Sequence, residues 1–179
     1  MSEVTAVRAS APKNNKGAAS IVFFYMGDSK YTTLFQETTK LKKAMEGYKK
    51  IILLKHNTTD SILDFSEADE KLADVFTKPT KANFFKYIID LATEGYMIDI
   101  YIWSHGTKND FRCSTGTFGD NDLITVDDIK DQLSPSKTKL TCMPIRMVYQ
   151  INCYGQTMND AWKSVGAKVV AGTRYVNFY

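Results

Sequence analysis

Cysteine is scarce in this chain of 179 residues. There are three, an odd number with no CxxC pair, which argues against both a disulfide framework and a structural zinc site. A reducing compartment fits such thiols, and the cytoplasm is the default placement. Histidine is scarcer still: His56 and His105 are too few for a multi-histidine zinc site. No apolar run approaches the ~20 residues of a membrane span. Neither sign of charge dominates, because 23 basic and 20 acidic residues are spread along the chain. The net charge of +3 is too mild and too mixed to argue for nucleic acid or a membrane surface as partner. The phosphate-binding patterns GxGxxG and GxxxxGK[ST] are both missing. Gly27-Asp28-Ser29-Lys30, between a strand and a helix, is all that supports a nucleotide-binding reading. What the chain does contain, 44% hydrophobic and 24% charged residues, describes one soluble domain with a single sizeable core.

The pattern along the chain alternates strand and helix. Residues 1–19 are rich in Ala, Ser, Lys and Asn, lack the apolar centre of a secretory signal and read as a flexible lead-in to a domain over 20–179. Ile21 to Met26 is a continuous apolar run closed by Gly27-Asp28-Ser29, a buried first strand. Helical spacing follows from about Thr32 to Glu46, with Gly47 as its stop, and Tyr48 to Leu54 gives a second strand. Thr58 to Thr77 is acidic and loosely helical. Thr80 can cap a strong helix that carries Phe84, Phe85, Ile88, Ile89, Leu91 and Ala92 and ends at Gly95. Tyr96 to Trp103 is a third strand. Thr107 to Asp122 suits an exposed hairpin with Cys113 on one arm. Thr125 with Asp128 resembles a capping box for a helix to about Leu133, and Ser134 to Pro144 reads as a loop. Arg146 to Ile151 is a fourth strand, Met158 to Val165 a helix, and Lys168 to Ala171 a fifth strand. Five strands interleaved with helices predict a mostly parallel α/β sheet with helices on both faces.

Two strand endings stand out. One apolar run stops at Ser104-His105-Gly106 and another at Asn152-Cys153-Tyr154-Gly155. An open α/β sheet keeps its active site at such carboxyl ends. Cysteine is a nucleophile as the thiolate, and a nearby imidazole can take the thiol proton or hand one to a leaving group. An oxyanion on a scissile carbonyl needs donors, for which the Gly106 amide and the amide of Cys153 or Tyr154 are candidates. A lone cysteine at a strand end is most often core, so the inference is carried by the pair. Cys113 and Cys142 have no matching partner and read as structural, and His56 reads as a residue at the solvent edge. Asp28 and Ser29 are candidates for reading a substrate, although both types are ordinary turn residues. Phe84, Phe85 and Tyr87 read as core and flank.

An apolar strand closed by His-Gly, followed 153 − 105 = 48 residues later by one closed by a cysteine and a near glycine, resembles the caspase-like cysteine peptidases of clan CD. That group includes caspases, metacaspases, legumain, gingipains, clostripain and separase. The run Asp99-Ile100-Tyr101-Ile102-Trp103-Ser104-His105-Gly106 and the ending Ala161-Trp162 to Gly166-Ala167-Lys168-Val169-Val170-Ala171-Gly172-Thr173 resemble bacterial members, CHAT-type domains included. The likeness covers roughly Ser20 to Thr173. It implies a three-layer α/β sandwich and a cysteine endopeptidase acting on peptide or protein substrates, with His105 as acid–base, Cys153 as nucleophile and Gly106 in the oxyanion hole. It implies no metal or cofactor in catalysis; calcium dependence is known among relatives, but the residues give no sign of it. In the family the position of Ile151 often helps to read the substrate side chain, and many members have a polar or acidic residue there followed by alanine. The chain also ends soon after the fifth strand, where relatives continue. A C-terminally truncated or minimal domain is therefore the expectation, with a homodimer or a missing partner domain as further readings. The alternative class is a caspase-like interaction module without turnover.

Overall fold

A computed structural model describes residues 15–25, 45–55, 74–117 and 120–176. Its central sheet has six parallel strands: β1 (Ala18–Tyr25), β2 (Lys50–Leu54), β3 (Val75–Thr77), β4 (Met97–Ser104), β8 (Ile145–Gln150) and β9 (Val169–Gly172). They lie side by side in the order β3-β2-β1-β4-β8-β9. A second sheet, antiparallel, is formed by β5 (Gly106–Thr107), β6 (Asp110–Ser114) and β7 (Asn121–Thr125). The helices that lie wholly among the described residues are α1 (Lys81–Glu94), α2 (Val126–Gln132), α3 (Pro135–Thr138) and α4 (Asn159–Ser164), the last preceded by a 3-10 turn at Gly155–Met158. This is the mixed α/β architecture expected, with a mostly parallel central sheet, and it is compatible with a three-layer sandwich.

Strand periodicity accounts for the layers. Alternate residues of a strand face opposite sides of a sheet. Ile21, Phe23 and Tyr25 of β1, Ile98, Ile100 and Ile102 of β4, and Ile145 and Val148 of β8 join one buried cluster with Phe84 and Ile88 of α1 and Trp162 of α4. Each such side chain taken from water stabilises the fold by roughly 1.5–3 kcal/mol. Phe23, Phe84 and Phe111 meet edge to face at 5.1 to 5.7 Å between ring centres, and Trp162 lies 6.2 Å from Phe84, the edge-to-face geometry aromatic pairs favour. Helix α1 starts where the Thr80 hydroxyl accepts the Asn83 N–H at 3.1 Å and stops at left-handed Gly95, as its sequence predicts. On the opposite face Val22, Leu53 and Met45 form a second cluster with Tyr48, Ile51, Tyr101 and Trp103. Both faces of the sheet therefore carry apolar packing. The helix expected over 32–46 falls mostly outside the described residues.

Several expectations change. The loosely helical reading of 58–77 fails at its end, because Val75–Thr77 pairs with Ile52–Leu54 as strand β3. The rest of that segment, His56 included, lies outside the described residues. The lead-in boundary moves inward, since Ala18 and Ala19 already pair within β1. The exposed hairpin of 107–122 is instead a three-stranded sheet whose Phe111, Cys113 and Ile124 are buried. Its alternating side chains cover the end of the main core, which turns a polar-looking segment inward on one face. The loop of 134–144 contains the short helix α3. The capping box at Thr125 forms in full: Thr125 Oγ1 accepts the Asp128 N–H and the Asp128 carboxylate accepts the Thr125 N–H.

Candidate active site

Strands β4 and β8 are parallel neighbours, and their last paired residues are Ile102 and Gln150. His105 lies 105 − 102 = 3 residues beyond one and Cys153 lies 153 − 150 = 3 residues beyond the other. Neighbouring strands run about 4.8 Å apart, so both turns leave the same edge of the sheet side by side. Both side chains are half-buried. Ile151 is half-buried too, and its N–H donates to the Ile102 carbonyl at 2.8 Å, which prolongs the ladder up to the turn. Asp28, Ser29 and the rest of the Gly27–Lys30 turn lie outside the described residues.

The two turns lie against each other. A Cβ placed on Gly106 would meet Asn152 Nδ2 at 2.9 Å and the Asp110 carbonyl at 2.7 Å, so only glycine fits beside His105. The Asn109 N–H donates to Thr157 Oγ1 at 2.8 Å, and Lys108 Nζ lies 5.9 Å from the centre of the Tyr154 ring. The His105 turn is anchored from its other side as well, because the His105 carbonyl accepts the Arg112 N–H at 2.8 Å and the Ser104 hydroxyl at 3.0 Å. With Arg112 bonded to His105, the next pair, Gly106 with Phe111, is the open pair of an antiparallel ladder. The Gly106 N–H therefore points away from β6.

The Cys153 turn is tight. Tyr154, the residue after the thiol, has φ 54 and ψ 22, a left-handed conformation that disfavours a bulky side chain by about 1–2 kcal/mol. Backbone bonds on both sides hold it there. The Tyr154 N–H donates to the Tyr175 carbonyl at 3.1 Å, and the Tyr154 carbonyl accepts from the Thr157 N–H at 2.9 Å. This corrects one expectation: the Tyr154 amide is engaged with the segment after β9 and cannot serve an oxyanion, which leaves the Cys153 amide as the candidate beside Gly106. The same segment straps the turn through Gln156 N–H to the Thr173 carbonyl at 3.0 Å and through the Thr173 hydroxyl to the Asn152 carbonyl.

Sequence reasoning missed the supports beneath the turn. Gln150, the last residue of β8, is buried and donates from Nε2 to the Gly155 carbonyl at 3.1 Å, while its Oε1 accepts the Trp162 indole N–H at 3.1 Å. Asn152 is completely buried. Its Nδ2 donates to the Cys153 carbonyl at 3.4 Å, and its Oδ1 has no partner. Leaving a buried polar atom unpaired costs about 1–3 kcal/mol. The signal was present in the sequence as two carboxamides interrupting an apolar strand end, Gln150-Ile151-Asn152.

The other two thiols are set apart. Cys113 is fully buried on β6, and burial, with Asp122 nearby, pushes its pKa up to about 12, so it stays protonated and unreactive at neutral pH. Cys142 is half-buried and precedes β8, at the opposite end of that strand from Cys153. A shallow cavity of about 490 Å³ opens beside α1, lined among others by Thr80, Lys81, Phe85, Ser114 and Asp122, and none of its lining residues belongs to the two turns. Among the described residues no group of three or more His, Cys, Asp and Glu could hold a metal ion, and no helix is long and apolar enough to cross a membrane.

The arrangement defines a class: a parallel α/β domain with a thiol and an imidazole on adjacent turns at the carboxyl edge of its sheet. No protein-family model, no curated protein and no solved structure matches this chain.

Proposed function

We propose that the chain is a cysteine endopeptidase of caspase-like type, with Cys153 as nucleophile and His105 as acid–base. The observation that carries the reading is the equal three-residue overhang of the two residues beyond neighbouring parallel strands. In the proposed reaction Cys153 Sγ forms a bond to the peptide carbonyl carbon as His105 takes the thiol proton. His105 then gives that proton to the leaving nitrogen as the C–N bond breaks. Water, deprotonated by His105, cleaves the acyl-enzyme and returns the thiol. The N–H groups of Gly106 and Cys153 stabilise the oxyanion. Support for Gly106 comes from its outward-turned amide and from its packing against Asn152. A peptide or protein substrate and a cytoplasmic location belong to this reading, and Ile151, beside the thiol, is its candidate for contact with the substrate side chain.

Hydrolysis of a diverse peptide library under reducing conditions, with and without calcium and read by mass spectrometry, tests the proposal. Cys153→Ala and His105→Ala are expected to abolish cleavage while melting within a degree or two of wild type, whereas Cys142→Ala leaves cleavage intact. Equal cleavage by wild type and Cys153→Ala would sink the assignment.

A second reading, a module that binds a partner without turnover, draws support from apolar exposure around the edge strand β9. Tyr149 is 43% exposed, Val169 57%, Tyr175 66% and Val176 43%. A wild-type protein silent toward every peptide would favour it.

A further inference from the structure

Asn152 stands between the two halves of the candidate site, and the inference drawn from it rests on the Cys153–His105 reading. We infer that Asn152 is a positioning residue: its buried carboxamide is a wedge that sets the distance between the turn carrying His105 and the turn carrying Cys153. On one side the carboxamide nitrogen and Cβ of Asn152 lie 2.9 and 3.1 Å from where a side chain on Gly106 would begin. On the other, its Oδ1 lies 3.0 Å from where a side chain on Gly155 would begin. Gly106, directly after the histidine, and Gly155, two residues after the cysteine, thus both press on the same planar group.

The bonding singles out orientation. Nδ2 donates to the Cys153 carbonyl, and the Asn152 carbonyl accepts the Thr173 hydroxyl, so the residue is tied to the thiol-bearing peptide and to the strap beyond β9. Exchanging the carboxamide oxygen and nitrogen would set two carbonyl oxygens against each other, which fixes the assignment. Oδ1 is left unpartnered and sealed from solvent. No substrate can reach it, so substrate contact does not explain it. Packing alone does not explain it either, since an apolar side chain would fill the space without an orphaned acceptor. What a rigid planar amide offers over an aliphatic group is a directional bond to the Cys153 peptide at a fixed standoff from Gly106, and small displacements of a nucleophile are expensive in rate.

The test is the rate of alkylation of Cys153 by iodoacetamide as a function of pH, read by mass spectrometry on the Cys153 peptide so that Cys113 and Cys142 are resolved separately. Full-length wild type, His105→Ala, Asn152→Ala and Thr173→Val are compared, each with a melting curve. Positioning predicts that Asn152→Ala takes on the pH profile of His105→Ala, with a roughly tenfold slower reaction near neutral pH, and that Thr173→Val moves part of the way. In peptide hydrolysis it predicts a fall in kcat of up to about a hundredfold with KM unchanged. A folded Asn152→Ala protein with the wild-type profile overturns the inference; should that variant not fold, a wild-type profile in Thr173→Val overturns it. Dependence of alkylation on both His105 and Asn152 in a protein that hydrolyses no peptide upholds the wedge while the endopeptidase reading falls. Peptide hydrolysis with wild-type kcat in Asn152→Ala does the reverse.

Discussion

Strands β4 and β8 carry two polar clusters, one at each end, and the two are built on different principles. Near the start of the strands, on the face away from α1, the buried carboxylate of Asp99 is met by Arg146 through Nε at 2.9 Å and through the second guanidinium nitrogen. Tyr48 donates to the same carboxylate at 2.6 Å and shares a hydrogen bond with Tyr101 at 2.9 Å. Asp99 is thus met by a cation and a hydroxyl donor, while Ser20, its lateral partner on β1, keeps a buried hydroxyl without a hydrogen bond. A register shift in the β4–β8 ladder makes this pairing available: Ile98 pairs with Ile145 and Asp99 with Met147, so Arg146 is the extra residue of a bulge, re-aimed at the carboxylate. At the far end of the same strands, Asn152 has an unpaired acceptor and Tyr154 a left-handed backbone. A carboxylate matched by a cation anchors a sheet; an unpaired acceptor next to a left-handed backbone marks where a fold has given up stability.

Removal of a partner from the Asp99 cluster is expected to have the largest effect on stability. Arg146→Ala leaves Asp99 buried with the Tyr48 hydroxyl as its remaining side-chain donor. The expected loss is about 3 kcal/mol, at the low end of the range for breaking a buried pair because the Arg146 side chain is 47% exposed. Urea unfolding measures it. Turnover per folded molecule should be unchanged, and a selective loss of turnover would collapse the distinction between the two ends.

Alkaline titration sharpens the comparison next. Burial raises the pKa of the Cys113 thiol to about 12, and burial together with the bonds to Asp99 and Tyr101 raises that of the Tyr48 hydroxyl above its usual value. Both are acids whose neutral form the fold favours. The unfolded chain therefore releases these protons first, near pH 8.5 for the thiol and near 10 for the phenol, and stability falls as pH rises beyond each. Cys113→Ala should lower stability at pH 7, where it opens a small cavity, yet flatten the decline between about pH 9 and 12. Identical slopes for wild type and variant would contradict the buried, protonated thiol.

The smallest effect is expected at the strained turn. Tyr154→Gly removes the left-handed penalty but also the ring beside Lys108 and some restriction of the unfolded chain. Stability should stay within about 1 kcal/mol of wild type. A large loss, measured by thermal melting, would mean that the turn is a structural anchor like the Asp99 cluster.

Much of this was readable from local chemistry. Thr80 and Gly95 bound α1, Thr125 and Asp128 close their capping box, and the apolar runs that lead to His105 and Cys153 become strands. These features depend on residues within a few positions of one another, so their order along the chain carries the information. The three-residue strand β3 offered too short a pattern. The inward turn of Phe111, Cys113 and Ile124 was present as alternation, but polar neighbours such as Arg112 and Asp122 suggested an exposed arm.

Composition and periodicity therefore determined an α/β chain whose His105 and Cys153 leave the sheet at carboxyl ends of strands. Only tertiary structure decided which strands adjoin, that the overhangs are equal, that the Tyr154 amide is taken by Tyr175, and that Asn152 is sealed between two glycines. The reason is physical: caps and periodicity are local interactions, whereas adjacency and burial in the central sheet depend on strand partners from 169 − 147 = 22 to 97 − 18 = 79 residues apart, whose packing no local preference encodes.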